Sequence, residues 1–103
     1  MSRSTAAAKR RAHQLLCDIL SDGEYAQLIL HNFVEVRSPS IGGRVYRIPA
    51  VPGTVVVYED GHAIGRLCLV PVEPLPDDDL IALHKLFLEC SEQAYLASAN
   101  HLR

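Results

Sequence analysis

Thr54-Val-Val-Val-Tyr-Glu-Asp-Gly-His-Ala-Ile-Gly-Arg-Leu-Cys-Leu69 is the stretch on which the fold turns. Two strand-forming runs, Thr54–Glu59 and His62–Val70, flank Asp60-Gly61, a dipeptide that accepts the positive φ angles of a type I′ turn. A two-residue turn sets a register. It opposes Glu59 to His62, Tyr58 to Ala63, Val57 to Ile64, Val56 to Gly65, Val55 to Arg66 and Thr54 to Leu67. Side chains alternate across a sheet. One face therefore collects Val56, Tyr58, Ala63, Leu67 and Leu69, and the other Val55, Val57, Glu59, His62, Ile64, Arg66 and Cys68. The first face is the more apolar and is expected to receive the helices, with Gly65 leaving room for one to approach closely.

Upstream, Phe33-Val-Glu-Val-Arg37 alternates at period two, and Arg44-Val-Tyr-Arg-Ile48 follows a loop of turn formers, Ser38–Gly43. Pairing of this second strand with the third across Pro49–Gly53 puts Tyr46 and Ile48 on the core face and Arg47 on the outer face, near Val55 and Arg66. Before the strands, Ala8, Ala12, Leu15, Leu16 and Ile19 form one apolar stripe on a helix from about Ser4 or Thr5 to Leu20. Ser21-Asp-Gly-Glu24 reads as a capping box opening a second helix, Asp22 to about His31. Its Tyr25, Leu28 and Ile29 are expected to face inward, and Asn32 is a left-handed terminator.

Downstream, Val70-Pro-Val-Glu-Pro-Leu-Pro76 carries three prolines, which remove backbone donors and hold the chain extended as a stiff crossover. Asp77, Asp78 and Asp79 open a third helix running to about Cys90, one aspartate capping it and the others favoured by the positive helix end. Ser91 is expected to cap a fourth helix to about His101, with Tyr95, Leu96 and Ala99 inside. The fold expected is α+β: two N-terminal helices, a four-stranded antiparallel meander and two C-terminal helices, all packed on one sheet face. Its 103 residues make one domain, 1–103, with residues 1–8 open to fraying.

Composition narrows the function classes. The chain is 49% hydrophobic and 21% charged, which is ordinary for a soluble globular protein. No apolar run reaches the roughly 18 residues of a membrane span, and no apolar segment follows the basic N-terminus as a signal peptide requires. Three widely spaced cysteines cannot all pair with one another, which suits a reducing cytoplasm. Net charge is −2, but residues 1–14 hold four of the ten basic side chains and none of the twelve acids. Lys9, Arg10 and Arg11 of that arm, with Arg3, are the candidate contacts to a phosphate backbone.

Catalytic signatures do not emerge. His13 and Cys17 are four apart on a helix, a spacing that can place two metal ligands on one face, but the close cysteine pairs of structural zinc sites are missing from the sequence. No metal or other cofactor is expected. Cys17 lies toward a helix C-terminus, where the dipole disfavours a thiolate, so Cys68, near Arg66, ranks above it as a candidate nucleophile. Asp77–Asp79 lacks the spread of ligands and the central glycine of a calcium loop. Pro71-x-x-Pro74 fits only the minimal pattern of a proline-groove ligand. There is no glycine-rich phosphate loop, no Gly-x-Ser-x-Gly elbow and no His-Glu-x-x-His.

Tyr46-Arg-Ile48, Leu67-Cys68, Leu75-Pro76 with Asp77 and Asp79, Lys85-Leu86 with Leu88-Glu89, and Tyr95-Leu96 with Ala99-Asn100 resemble a group of short uncharacterised proteins of bacteria and their phages. The resemblance spans roughly residues 10 to 101. It implies a small α+β domain of bacterial or phage cytoplasmic origin, and no activity comes with it.

The leading expectation is a non-enzymatic interaction module. Its outer sheet face mixes Val55, Val57 and Ile64 with Arg47, Arg66, His62 and Glu59, a composition suited to a protein partner or to a second copy of the chain. Arg47 and Arg66 would flank Val55 and present two guanidinium groups. The alternative is nucleic-acid binding through the basic N-terminal helix. No membrane partner is expected.

Overall fold

In the computed structural model, which describes residues 2–51, 53–69 and 75–102, the elements run α1 (Ser2–Ile19), α2 (Asp22–His31), β1 (Phe33–Arg37), β2 (Arg44–Pro49), β3 (Val55–Glu59), β4 (His62–Cys68), α3 (Asp77–Cys90), α4 (Glu92–Ser98) and β5 (Asn100–Leu102). The sheet is antiparallel throughout, in the order β1-β2-β3-β4-β5. Pro52 and most of the proline-rich crossover, with Pro71-x-x-Pro74, lie outside the described residues.

Local chemistry accounts for several boundaries. Ser21 Oγ accepts from the Glu24 amide and Glu24 Oε1 accepts from the Ser21 amide, closing the capping box of α2. Asn32 ends that helix in the left-handed region at φ 64°. Asp60 and Gly61 both take positive φ, 52° and 84°, as a type I′ turn demands.

The register is where structure and sequence pattern part. Glu59 opposes His62 and Tyr58 opposes Ala63, but Val57 opposes Gly65, Val56 opposes Arg66 and Val55 opposes Leu67. Ile64 is thus the extra residue of a β-bulge. One added residue turns the rest of the pairing over. The core face carries Val34, Val36, Tyr46, Ile48, Val55, Val57 and Leu67, all buried. Val56 and Tyr58 stand half-buried on the other face, where Ala63 is exposed. Two valines fit between Tyr46, Ile48 and Leu67, while the Tyr58 hydroxyl finds a donor outside, Arg47 Nη1 at 3.2 Å. Glu59 shares the core side, but it sits at the strand end against Arg44, with Nη2 at 2.7 Å from its Oε2.

The helices pack Leu16, Leu20, Ile81, Ala82, Leu88, Tyr95 and Ala99 onto that core face. Leu15 of the expected stripe is 44% exposed, and Ala12 and Leu16 are the residues that α1, packed on α3, buries instead. In α2 only Leu28 reaches the core, and Tyr25 and Ile29 face solvent. Instead α2 guards the free edge of β1, where Gln27 Oε1 accepts the Glu35 amide at 2.8 Å and its Nε2 donates to Glu35 Oε1 at 3.1 Å.

The C-terminus also departs from expectation. The fourth helix stops at Ser98, and Asn100–Leu102 forms a fifth strand beside β4. Gly65 lies beside this strand rather than a helix, the place of a Cβ being 3.4 Å from the Leu102 carbonyl oxygen, an ordinary contact distance. Neither Asp77–Asp79 nor Ser91 supplies a side-chain cap. Asp78 is engaged elsewhere, by His13.

Candidate interaction surface

Register decides which side chains share the outer face. Arg47 and Arg66 both oppose Val56, so the two arginines flank Val56 and not Val55. Val55 is fully buried and Val57 is 5% exposed, so neither contributes to an outer surface; β3 turns both to the core, and the bulge at Ile64 brings Leu67 of β4 to the same side. His62 and Arg66 are exposed and Ile64 is 50% exposed. His62, however, pairs with Glu59 on the core-side parity at the hairpin tip.

At the centre of the outer face stands Arg47. Its guanidinium carbon lies 4.1 Å from the Phe33 ring centroid and 4.6 Å from that of Tyr58. Its Nε and Nη2 donate to Glu35 Oε2 at 3.1 and 2.8 Å. The cation is held between two aromatic rings with its plane fixed by a carboxylate. Both Arg47 and Glu35 keep about a third of their side chains exposed, 35% and 32%. The result is a preordered aromatic–cationic patch. Tyr58 opposes Ala63 as the hairpin predicts, but the sequence assigns it to the core as part of the more apolar hairpin face, and Phe33 is read there only as the start of a strand.

Behind the other face lie buried polar clusters that fasten the helices. Glu92, 6% exposed, accepts from Ser38 and Tyr46 at 2.5 Å each and from the Ser40 hydroxyl. Burial alone would raise its pKa, but these hydroxyls outweigh it and hold the carboxyl below the usual range. Lys85, 5% exposed, donates to Glu24 at 3.1 Å and to Glu89 at 2.5 Å, linking α3 to α2. Burial opposes its charge, yet the two carboxylates keep its pKa raised.

His84, 6% exposed, has Nδ1 2.8 Å from the Tyr95 hydroxyl. Burial lowers the His84 pKa. The unfolded chain, with a histidine pKa of about 6.5, therefore takes up the proton first, and stability present above that pH is lost as pH falls below it. Urea unfolding should show a falling midpoint between about pH 7 and pH 5, and His84→Gln should flatten that slope. An unchanged slope in the variant would assign the loss to other groups.

Lys9, Arg10 and Arg11 are exposed on α1, while the Arg3 side chain lies outside the described residues. Their consecutive positions fan them around the helix instead of aligning them on one side. Cys17, Cys68 and Cys90 are free thiols. Among the described residues no group of three or more His, Cys, Asp or Glu is arranged to hold a metal ion, and no helix is long and apolar enough to cross a membrane. Comparison with family models, with curated proteins and with solved structures finds no match for this chain.

Proposed function

We propose that the chain is a non-enzymatic interaction module that docks a protein partner, a second copy of itself included, on the outer sheet face. The observation that carries this reading is the Phe33–Arg47–Tyr58 stack, an ordered group of the residue types that dominate protein interfaces. Because Glu35 and the two rings already hold Arg47, docking there sacrifices little side-chain freedom. Val56 and Arg66 extend the same surface. Three free thiols support a cytoplasmic setting.

The test pairs sedimentation equilibrium with affinity capture, using wild type and the Arg47→Ala/Tyr58→Ala double variant. Wild type should self-associate or retain a specific protein, and the double variant should bind at least about tenfold more weakly while keeping its far-UV dichroism. A monomeric wild type that captures nothing the variant fails to capture overturns the reading. A steeply salt-dependent gel shift would transfer the function to Lys9, Arg10 and Arg11 and a phosphate backbone.

A further inference from the structure

A different part of the surface joins a thiol, an imidazole and a carboxylate. His13 and Cys17 are one turn apart on α1, and Cys17 Sγ lies 3.5 Å from His13 Nε2. The other ring nitrogen, Nδ1, lies 3.0 Å from Asp78 Oδ2 in the first turn of α3. A carboxylate at Nδ1 fixes the proton there and leaves the Nε2 lone pair facing the thiol. The order is nucleophile, base, orienting group, assembled from two helices. Since Cys17 and Asp78 address opposite ring nitrogens, they cannot close on one ion with His13. The arrangement is a proton relay and not a chelate. It is open to solvent: the His13 side chain is 60% exposed and Cys17 is half-buried.

We propose that Cys17 is a reversible thiolation site that takes up low-molecular-weight disulfides by exchange. The Cys17 proton passes to His13 Nε2, and the thiolate sulfur attacks one sulfur of the incoming disulfide. The reagent's S–S bond breaks as the new bond to Cys17 forms, and the departing thiolate takes the proton back from His13. One disulfide is consumed and one formed, with one free thiol released. The C-terminal position on α1 disfavours an isolated thiolate, but the adjacent imidazolium, paired with Asp78, offsets that charge. His13 is the proton acceptor and Asp78 its positioning residue.

The experiment exposes the full chain to oxidised glutathione at neutral pH and follows mixed-disulfide formation at each cysteine by peptide mass spectrometry. Cys90 is the internal reference, being the more exposed thiol. Cys17 should react roughly tenfold faster than Cys90 despite its lower exposure. His13→Gln should bring the Cys17 rate down to that of Cys90 or below. Asp78→Asn should slow Cys17 several-fold, and Asp78→Glu should recover part of the loss, a rescue a merely structural aspartate does not require. Cys90 reacting as fast as Cys17 in wild type overturns the proposal without any variant. So does a Cys17 rate that His13→Gln leaves unchanged.

Discussion

Val55→Asp should leave no cooperatively folded protein at neutral pH, whereas Val56→Asp should fold. The two positions are neighbours in one strand, so alternation puts them on opposite faces, and it is Val55 that turns to the core, since the β2 pairing sets Val57 beside buried Tyr46 and Val56 beside Arg47. Val55 has no exposure at all. Forcing an aspartate of ordinary pKa near 3.9 into its neutral form at pH 7 costs about 4 kcal/mol, and burying the polar group in place of a packed valine adds roughly 1–3 kcal/mol. That total is comparable to the whole stability of a domain of this size, about 5–15 kcal/mol. Val56 is half-buried on the outer face and opposes Arg47 and Arg66. A carboxylate there meets positive charge and water, so its cost is under about 1 kcal/mol, chiefly from weaker strand preference. Urea unfolding followed by circular dichroism reads the difference. A folded Val55→Asp beside an unfolded Val56→Asp would put Val56, not Val55, on the core face.

Glu92→Ala is the second large effect. The Glu92 carboxylate, on the first turn of α4, gathers the hydroxyls of Ser38, Ser40 and Tyr46 and so binds that helix to β2 and to the loop before it. Removing it leaves the O–H of fully buried Tyr46 without an acceptor, since Arg44 Nη1 at 3.5 Å only donates to that oxygen, and an unsatisfied buried donor costs about 1–3 kcal/mol. With the loss of the two serine contacts we expect about 2–4 kcal/mol less stability. Glu92→Gln keeps the shape and one acceptor oxygen, and should lose about half as much.

The pH dependence separates charge from shape. The folded-state pKa of Glu92 is depressed, so its contribution is present above the unfolded value and lost as pH falls through the folded one. Wild type should therefore lose stability below about pH 4.5, and Glu92→Gln should lose less over that interval. This window lies below the one in which His84 acts. An alanine variant as stable as wild type would mean that the hydroxyls are satisfied by other partners.

Much of the local structure is readable residue by residue. Ser21 and Glu24 cap α2, Asn32 ends it, and Asp60-Gly61 turns the hairpin, each through interactions within a few residues. Tyr46 and Ile48 are buried as period two requires. The outer face was less legible. Val-Val-Val-Tyr offers two alternations of nearly equal apolarity, and choosing the more apolar hairpin face counts Glu59 against the true core side, where Arg44 neutralises it at the strand end. Gly65 inside a strand was the available sign of a bulge. Val55 and Val57 took the core side and left Tyr58 outside to join Phe33 and Arg47, while the bulge let Leu67 stay on the core side opposite Val55.

Cys17 shows the same division. Its spacing from His13 is visible in the chain, but Asp78 arrives on another helix, 65 residues from His13 in sequence, through the packing of α3 on α1. The four helices, the strands β1 to β4, the two caps of α2 and the tight turn were determined by sequence alone, because each depends on backbone preferences and side chains a few positions apart. Only the tertiary structure decided the sheet's two faces, the added strand Asn100–Leu102 and the company of Cys17. Those rest on which of several similar apolar sets fills one shared volume, a competition settled between segments and invisible within any one of them.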